Sequence, residues 1–337
     1  MDLLDLNFTN MSVKSSAVAQ GPEEYRIVGL IFYSVIFIIG LIVNLTAISV
    51  FALTTKKRNS VTVYMINVAL VDLLFIIVLP FKIAYYHLDY WPFGDVFCRI
   101  SAALTIFYPC MALWLFALIS TDRYMAIVQP KHVKELRNVP KAVVASIGVW
   151  LMTLGSTIPM VFSKNDRDSS SNFTTCDKME DIVYLRKDNP VNFVRLVFFF
   201  LLPICVMVGC YAVIVDNLIH GRTSKLKPKV KQKSVRIIVT LIVQILVCFM
   251  PFHICLVVRL LETDVGGFHI WAIFTTCLMN LSTVLDIILY YIVSKQFQDR
   301  VISVVLYRNY LRSVRRKSLH THTGSIRSLS NLNSAMI

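Results

Sequence analysis

Charge is scarce in this chain: 16% of its 337 residues are Asp, Glu, Lys or Arg, against about 25% in soluble domains. One oversized soluble core cannot account for this, because the 56% of hydrophobic residues is spread over seven separate runs. No run alternates like a membrane β-barrel strand, and nothing repeats at solenoid spacing. No cysteine spacing suits a metal. The N-terminal stretch lacks a positive region ahead of a short apolar core and cleavage site, which predicts an uncleaved first anchor.

What is present is seven apolar stretches, over 26–53, 61–86, 97–128, 140–162, 190–219, 233–261 and 270–293. Each exceeds the roughly 20 residues that cross hydrocarbon as a helix. Backbone groups in lipid must bond within their own segment, so the helices form one bundle. The fold class is an all-α membrane protein: a seven-helix bundle over 26–293, an N-terminal segment 1–25, and a disordered tail 309–337.

The net charge of +14 raises nucleic acid as a partner, but its placement argues for membrane lipids instead. Basic residues crowd alternate connections: Lys56 to Arg58, Lys131 to Lys141, Arg222 to Arg236, and the tail from Lys295 to Arg327. The others hold acids, among them Asp2, Asp5, Glu23, Glu24, Asp89, Asp95, Glu262 and Asp264, with a stretch of mixed charge near 163–189. The positive-inside rule then places the N-terminus outside and the C-terminus in the cytosol. Glycosylation motifs at Asn7, Asn10 and Asn172 fall outside in this topology. Of eight cysteines only Cys98 and Cys176 reach the oxidising side, which predicts a disulfide between them. The other six lie within spans as small buried hydrophobes.

Ionisable groups within the spans are costly and mark function. Asp72 stands in the second span, Asp286 in the seventh and Asn44 in the first, at comparable depth. Together they can hold a cation such as sodium or share a proton; a packing network is the plainer alternative. Helix distortions are expected at Pro80, Pro203, Pro251 and at Gly155 with Pro159.

These residues carry a resemblance. Asn44, Asp72 within Asn67–Leu73, and the triplet Asp122-Arg123-Tyr124 at the end of the third span resemble the rhodopsin-like G-protein-coupled receptors. So do Trp150, Pro203 with Tyr211, Cys248 to Phe252, Asp286 to Tyr290, and Phe297. There is one element per helix, in order, over nearly the whole chain. The resemblance implies that Arg123, held by Asp122, contacts a heterotrimeric G protein. It implies that Tyr211 and Tyr290 swing inward on activation and that Asp72 and Asp286 form a sodium-type site. Phe249 takes the position of a rotamer switch. A short amphipathic eighth helix over 294–308 would lie on the membrane through Phe297, Val301 and Val305.

The chain departs from that pattern at several points. Ile287 replaces a proline in the seventh helix, Ala112 a serine that helps bind sodium, and Lys231 an acid that pairs with Arg123. No cysteine follows Cys277, so the eighth helix has no palmitate anchor. The cation at 231 predicts a poorly latched closed state.

Thr105 stands where amine receptors carry an aspartate, which argues against a monoamine ligand. Cations appear instead in the outer halves of the helices, at Lys82, Arg99, Arg195 and Arg259, with Tyr85, Tyr86, Phe107, Tyr108, Phe252 and His253 near their level. Guanidinium and ammonium groups in a partly dehydrated cavity suit a carboxylate or phosphate, and apolar walls suit a hydrocarbon tail. An anionic lipid-like ligand fits best; a nucleotide or lysophospholipid is the alternative. Lys82 and Arg99 can also snorkel to headgroups, and His253 can be a plain buried hydrogen bonder. Ser313, Ser318, Ser325, Ser328 and Ser330 lie among basic residues as candidate kinase sites that would recruit an arrestin-type partner.

Other classes fit less well. A transporter would show inverted repeats, a channel a filter loop or rings of like charge, and a retinal protein a lysine in the seventh span, which has none. No nucleophile pairs with a base at matching depth, so the chain reads as no enzyme. A constitutively active receptor remains the alternative within the receptor class.

Overall fold

Seven long helices account for nearly all of the computed structural model, which describes residues 23–54, 59–88, 90–128, 138–162, 176, 190–220, 228–261 and 268–303. The sequons at Asn7, Asn10 and Asn172 and the tail serines lie outside the described residues. Helix α1 runs Glu23–Ile48 and continues through a wider turn at Ser49–Thr54; α2 is Ser60–Leu88, α3 Gly94–Val128 and α4 Val139–Phe162. Helix α5 comprises Pro190–Leu196, a wide turn Val197–Leu201 and Leu202–Ile219. Helix α6 comprises Pro228–Gln244, a wide turn Ile245–Phe249 and Met250–Leu261; α7 is Phe268–Val293.

Local chemistry sets the ends. Asn59 and Asn138 accept the Thr62 and Lys141 backbone N–H at 3.0 and 2.9 Å, capping α2 and α4. Pro190 and Pro228 open α5 and α6, where a missing N–H costs nothing. Helix α6 therefore starts five residues before the apolar run, because its first turns stand clear of the hydrocarbon. At the turn into α3, Gly94 has φ +78° and its carbonyl accepts from Trp91 Nε1 at 2.9 Å.

The wide turns of α5 and α6 sit directly before Pro203 and Pro251. Proline offers no N–H to the carbonyl four residues back, and the ladder re-forms at five-residue spacing: Leu202 N–H donates to Val197, Met250 N–H to Ile245. Pro80, Pro109 and Pro159 lie inside continuous α-helix. Pro109 is a proline the distortion argument had not singled out.

Helix α3 is central. Most of its span is buried (83%, against 28% for α4), and it packs on α2, α4 and α5. Helix α1 packs on α2 and α7, and α6 on α7. Val144, Leu151, Phe193, Ile254 and Trp271 point outward, as lipid-facing side chains must. Cys98 at the top of α3 is bonded to Cys176, 78 positions further along the chain.

Ser294 breaks the chain after α7, and its hydroxyl accepts from Phe297 N–H at 3.2 Å to start a helical stretch over 295–303. Phe297 does not lie on the membrane as the amphipathic pattern suggested. It is buried against Phe51 and Tyr290, with ring centroids at 6.4 and 5.8 Å. An aromatic ring gains more from that apolar slot than from the headgroup layer.

Candidate functional site

In the outer half of the bundle, α3, α5 and α6 enclose a cavity of about 30 Å³, room for about two waters or one carboxylate. Ile106, Pro109, Phe199, Phe252 and Leu256 give apolar walls, and Arg195 and His253 bring polar atoms. The His253 ring lies flat on Phe200, centroids 3.8 Å apart and 7° from parallel, with Phe252 edge-on. Its Nδ1 is 2.8 Å from the Phe249 carbonyl. A carbonyl only accepts, so Nδ1 carries the hydrogen. Phe249 is fully buried one turn below and meets Phe116 of α3 edge-on at 5.9 Å. The cavity thus sits directly above the α6 wide turn.

A second cluster joins α1, α2 and α7. Lys82 is buried, its ammonium 5.8 Å from the centroid of Tyr33. Tyr33 stacks on Tyr86 at 5.6 Å and accepts from Asn280 Nδ2 at 3.4 Å. A Cβ on Gly29 would come within 2.8 Å of the Tyr86 ring, so a larger residue there would displace that ring. Arg99 and Thr105 belong to neither group. Arg99 pairs with Asp95 on its own helix, and Thr105 donates to the Ser101 carbonyl at 2.9 Å. Arg259 lies on α6, but its side chain is outside the described residues.

Below these lies a buried polar core. The Tyr290 hydroxyl donates to Asn44 Oδ1 at 2.8 Å and lies 3.1 Å from Asp72 Oδ2. Asn44 Nδ2 donates to the Gly40 and Thr283 carbonyls. Asp72 and Asp286 are both buried, and the charge of each acts on the other. Gln244 of α6 donates to Asp286 at 2.8 Å, while its own Oε1 is buried without a hydrogen bond. Tyr108 is bonded to Ser282 and stacks on Phe75 at 5.0 Å, which puts it above this core and not in the cavity wall. The donor set is oxygen throughout and suits a hard cation. Two adjacent buried carboxyl groups equally suit a shared proton.

At the end of the bundle away from the disulfide, Arg123 pairs with Asp122, and Asp122 is also bonded to Ser60 of α2. Tyr211 of α5 and Ser120 of α3 share a hydrogen bond of 2.6 Å. Tyr124 is half-buried and packs against the core. On α6 the charge of Lys233 reaches Arg123. Lys233 Nζ donates to the carbonyl of Val293, the last residue of α7, at 2.6 Å. A helix C-terminus carries unsatisfied carbonyls and partial negative charge, so a lysine can tie α6 to α7 with no acid opposite Arg123.

Residues 43–290 match the family described as 7 transmembrane receptor (rhodopsin family). The chain belongs to that family. It is 63% identical over 316 residues to the human N-arachidonyl glycine receptor, covering 94% of this chain and 95% of that protein. It is likewise 63% identical over 317 residues to the Bos taurus N-arachidonyl glycine receptor. The lysophosphatidic acid receptor 6 of Gallus gallus is 35% identical over 250 residues, 73% of this chain and 80% of that one. As a member of the rhodopsin family, the chain is a multi-pass membrane receptor and not an enzyme.

The structure thus brings Arg195 and His253 to one cavity, Lys82 and Tyr86 to the α1–α2–α7 cluster, and Asn44, Asp72, Asp286 and Tyr290 to the polar core. Sequence reasoning had not found Phe200, Tyr33, Asn280, Gln244, Ser282, Ser60 or Ser120. Polar residues in spans are a weak signal, since most bond back to their own helix.

Proposed function

We propose that this receptor binds a lipid-like ligand with an acidic head and passes its occupancy to a heterotrimeric G protein. The observation that carries the reading is Arg195, the one cationic group among the described residues lining a small cavity whose walls are mostly apolar. A planar fork there suits a carboxylate or phosphate, and the relatives named for N-arachidonyl glycine and lysophosphatidic acid take lipids with such heads. An acyl chain needs more room than about 30 Å³, so binding requires α5 and α6 to part. Both helices carry a wide turn beside a proline at that depth, where the backbone ladder is easiest to rearrange.

In this reading the chain sits in the plasma membrane with its N-terminus outside and its C-terminus cytosolic, Arg123 meets the G protein, and the tail serines recruit an arrestin-type protein. Lys82 and Tyr86, in the separate α1–α2–α7 cluster, offer a second cationic place for an acidic head. Asp72 and Asp286, with Asn44, hold a sodium ion or a proton that biases the closed state; Ala112 supplies no hydroxyl to that set.

The test is G-protein activation by N-arachidonyl glycine and by lysophosphatidic acid in cells expressing wild type or Arg195→Ala. Arg195→Ala should raise the half-maximal concentration at least tenfold, as loss of a charge-assisted pair predicts at about 1.5–3 kcal/mol. Equal potency in the variant, or silence of the wild type to every acidic lipid, sinks the reading.

A further inference from the structure

Arg195 accounts for the acid but not for the second polar member of the same cavity. His253 Nδ1 is committed as a donor to the Phe249 carbonyl, and in a neutral ring this fixes Nε2 as a lone-pair acceptor. The ring cannot turn to escape that role, because it is stacked flat on Phe200 and met edge-on by Phe252. No hydrogen bond reaches Nε2 among the described residues, and His253 lines the cavity. The cavity is therefore lined by two unlike functions: a cationic donor on α5 and a neutral acceptor on α6. A ligand carrying only an acid satisfies the first and leaves the second facing hydrocarbon.

We infer that His253 is a specificity-determining residue that reads an N–H close to the ligand's acid, so that the cavity selects acyl chains joined to their carboxylate through a secondary amide over plain fatty acids. The inference rests on the acid-head reading of Arg195. Buried polar groups left without a partner are the strongest source of discrimination a binding site has. An N-acyl amino acid supplies the matching pattern, with its N–H one carbon from the carboxylate. An ester in place of the amide turns the donor into an oxygen lone pair facing another lone pair.

The experiment compares three probes on cells expressing the full chain: N-arachidonyl glycine, its isostere with an ester oxygen in place of the N–H, and arachidonic acid. Wild type should respond to the amide at a concentration at least tenfold below the ester. His253→Phe keeps a ring on Phe200 but removes the acceptor, so the ratio should fall to near one while arachidonic acid still acts. His253→Gln restores an acceptor and should recover part of the ratio, which a purely packing role would not produce. Arg195→Ala should weaken all three acids and leave the ratio in place. Equal potency of amide and ester on wild type, or a ratio that survives His253→Phe, overturns the inference alone. Silence to all three acids overturns the acid-head reading and this inference with it.

Discussion

The outer and inner halves of the bundle are held together differently. In the outer half the contacts between helices are mainly stacked rings, Phe200 on His253 and Tyr33 on Tyr86, with one covalent tie between Cys98 and Cys176. In the inner half ring contacts among Phe51, Tyr290 and Phe297 are joined by hydrogen bonds between neighbouring helices: Tyr290 to Asn44 and Asp72, Gln244 to Asp286, Ser60 to Asp122, Tyr211 with Ser120, and Lys233 to Val293. Ring faces tolerate sliding and tilt. Hydrogen bonds weaken steeply off their geometry, so a set of them has discrete arrangements. An outer half that yields gradually above an inner half that switches is the arrangement a ligand-driven population shift requires.

The largest effect should come from cutting the covalent tie. Replacing Cys98 or Cys176 by serine frees a loop that spans 78 residues, and losing such a constraint costs about 4 kcal/mol. Surface expression should collapse, and the detergent-extracted remainder should melt well below wild type. A variant with unchanged melting would mean that the outer half is rigid without its covalent tie.

Next is Asp122→Ala, which leaves Arg123 buried without its carboxylate and Ser60 without its acceptor. Breaking one side of a buried pair costs about 3 kcal/mol. Thermal stability should fall and basal G-protein turnover should rise, because the inner half loses a bond made in the closed arrangement. Phe200→Leu should be milder. It removes one stacked pair worth about 1 kcal/mol, lowering the melting temperature by about 2 °C with basal turnover unchanged. A basal rise as large as that of Asp122→Ala would erase the distinction between the halves.

Which features could be read from the sequence follows from how each announces itself. The seven spans were legible because a run of 20 apolar residues has no soluble counterpart; most ends differed by up to three residues, and the start of α6 by five, where basic turns precede the apolar run. Asp72 and Asp286 stood out as charges among aliphatics. Their partner Gln244 did not, since Ser146, Thr153 and Thr157 are equally polar and bond to carbonyls of their own helix. Which polar side chain crosses to a neighbour depends on helix rotation, and apolar periodicity blurs when both lipid and core are apolar. The Phe200–His253 stack was hidden for the same reason, and Phe297 was misread because an amphipathic pattern does not say which apolar face meets protein.

The smallest effect, and the finest test of the inner half, concerns Lys233. The missing acid opposite Arg123 predicted a loose closed state, with Lys231 repelling Arg123. The bond from Lys233 to Val293 supplies an alternative tie, but the lysine is exposed. Its worth is that of a cation at a solvated helix C-terminus, about 0.5 kcal/mol. Lys233→Ala should therefore raise basal turnover about twofold in membranes at low ionic strength, and added salt should shrink the difference by screening. Lys231→Ala, which carries the same loss of charge without the bond, should leave turnover unchanged. A rise at 231 and none at 233 would return the latch to the position the sequence suggested and make the α6–α7 tie incidental to switching.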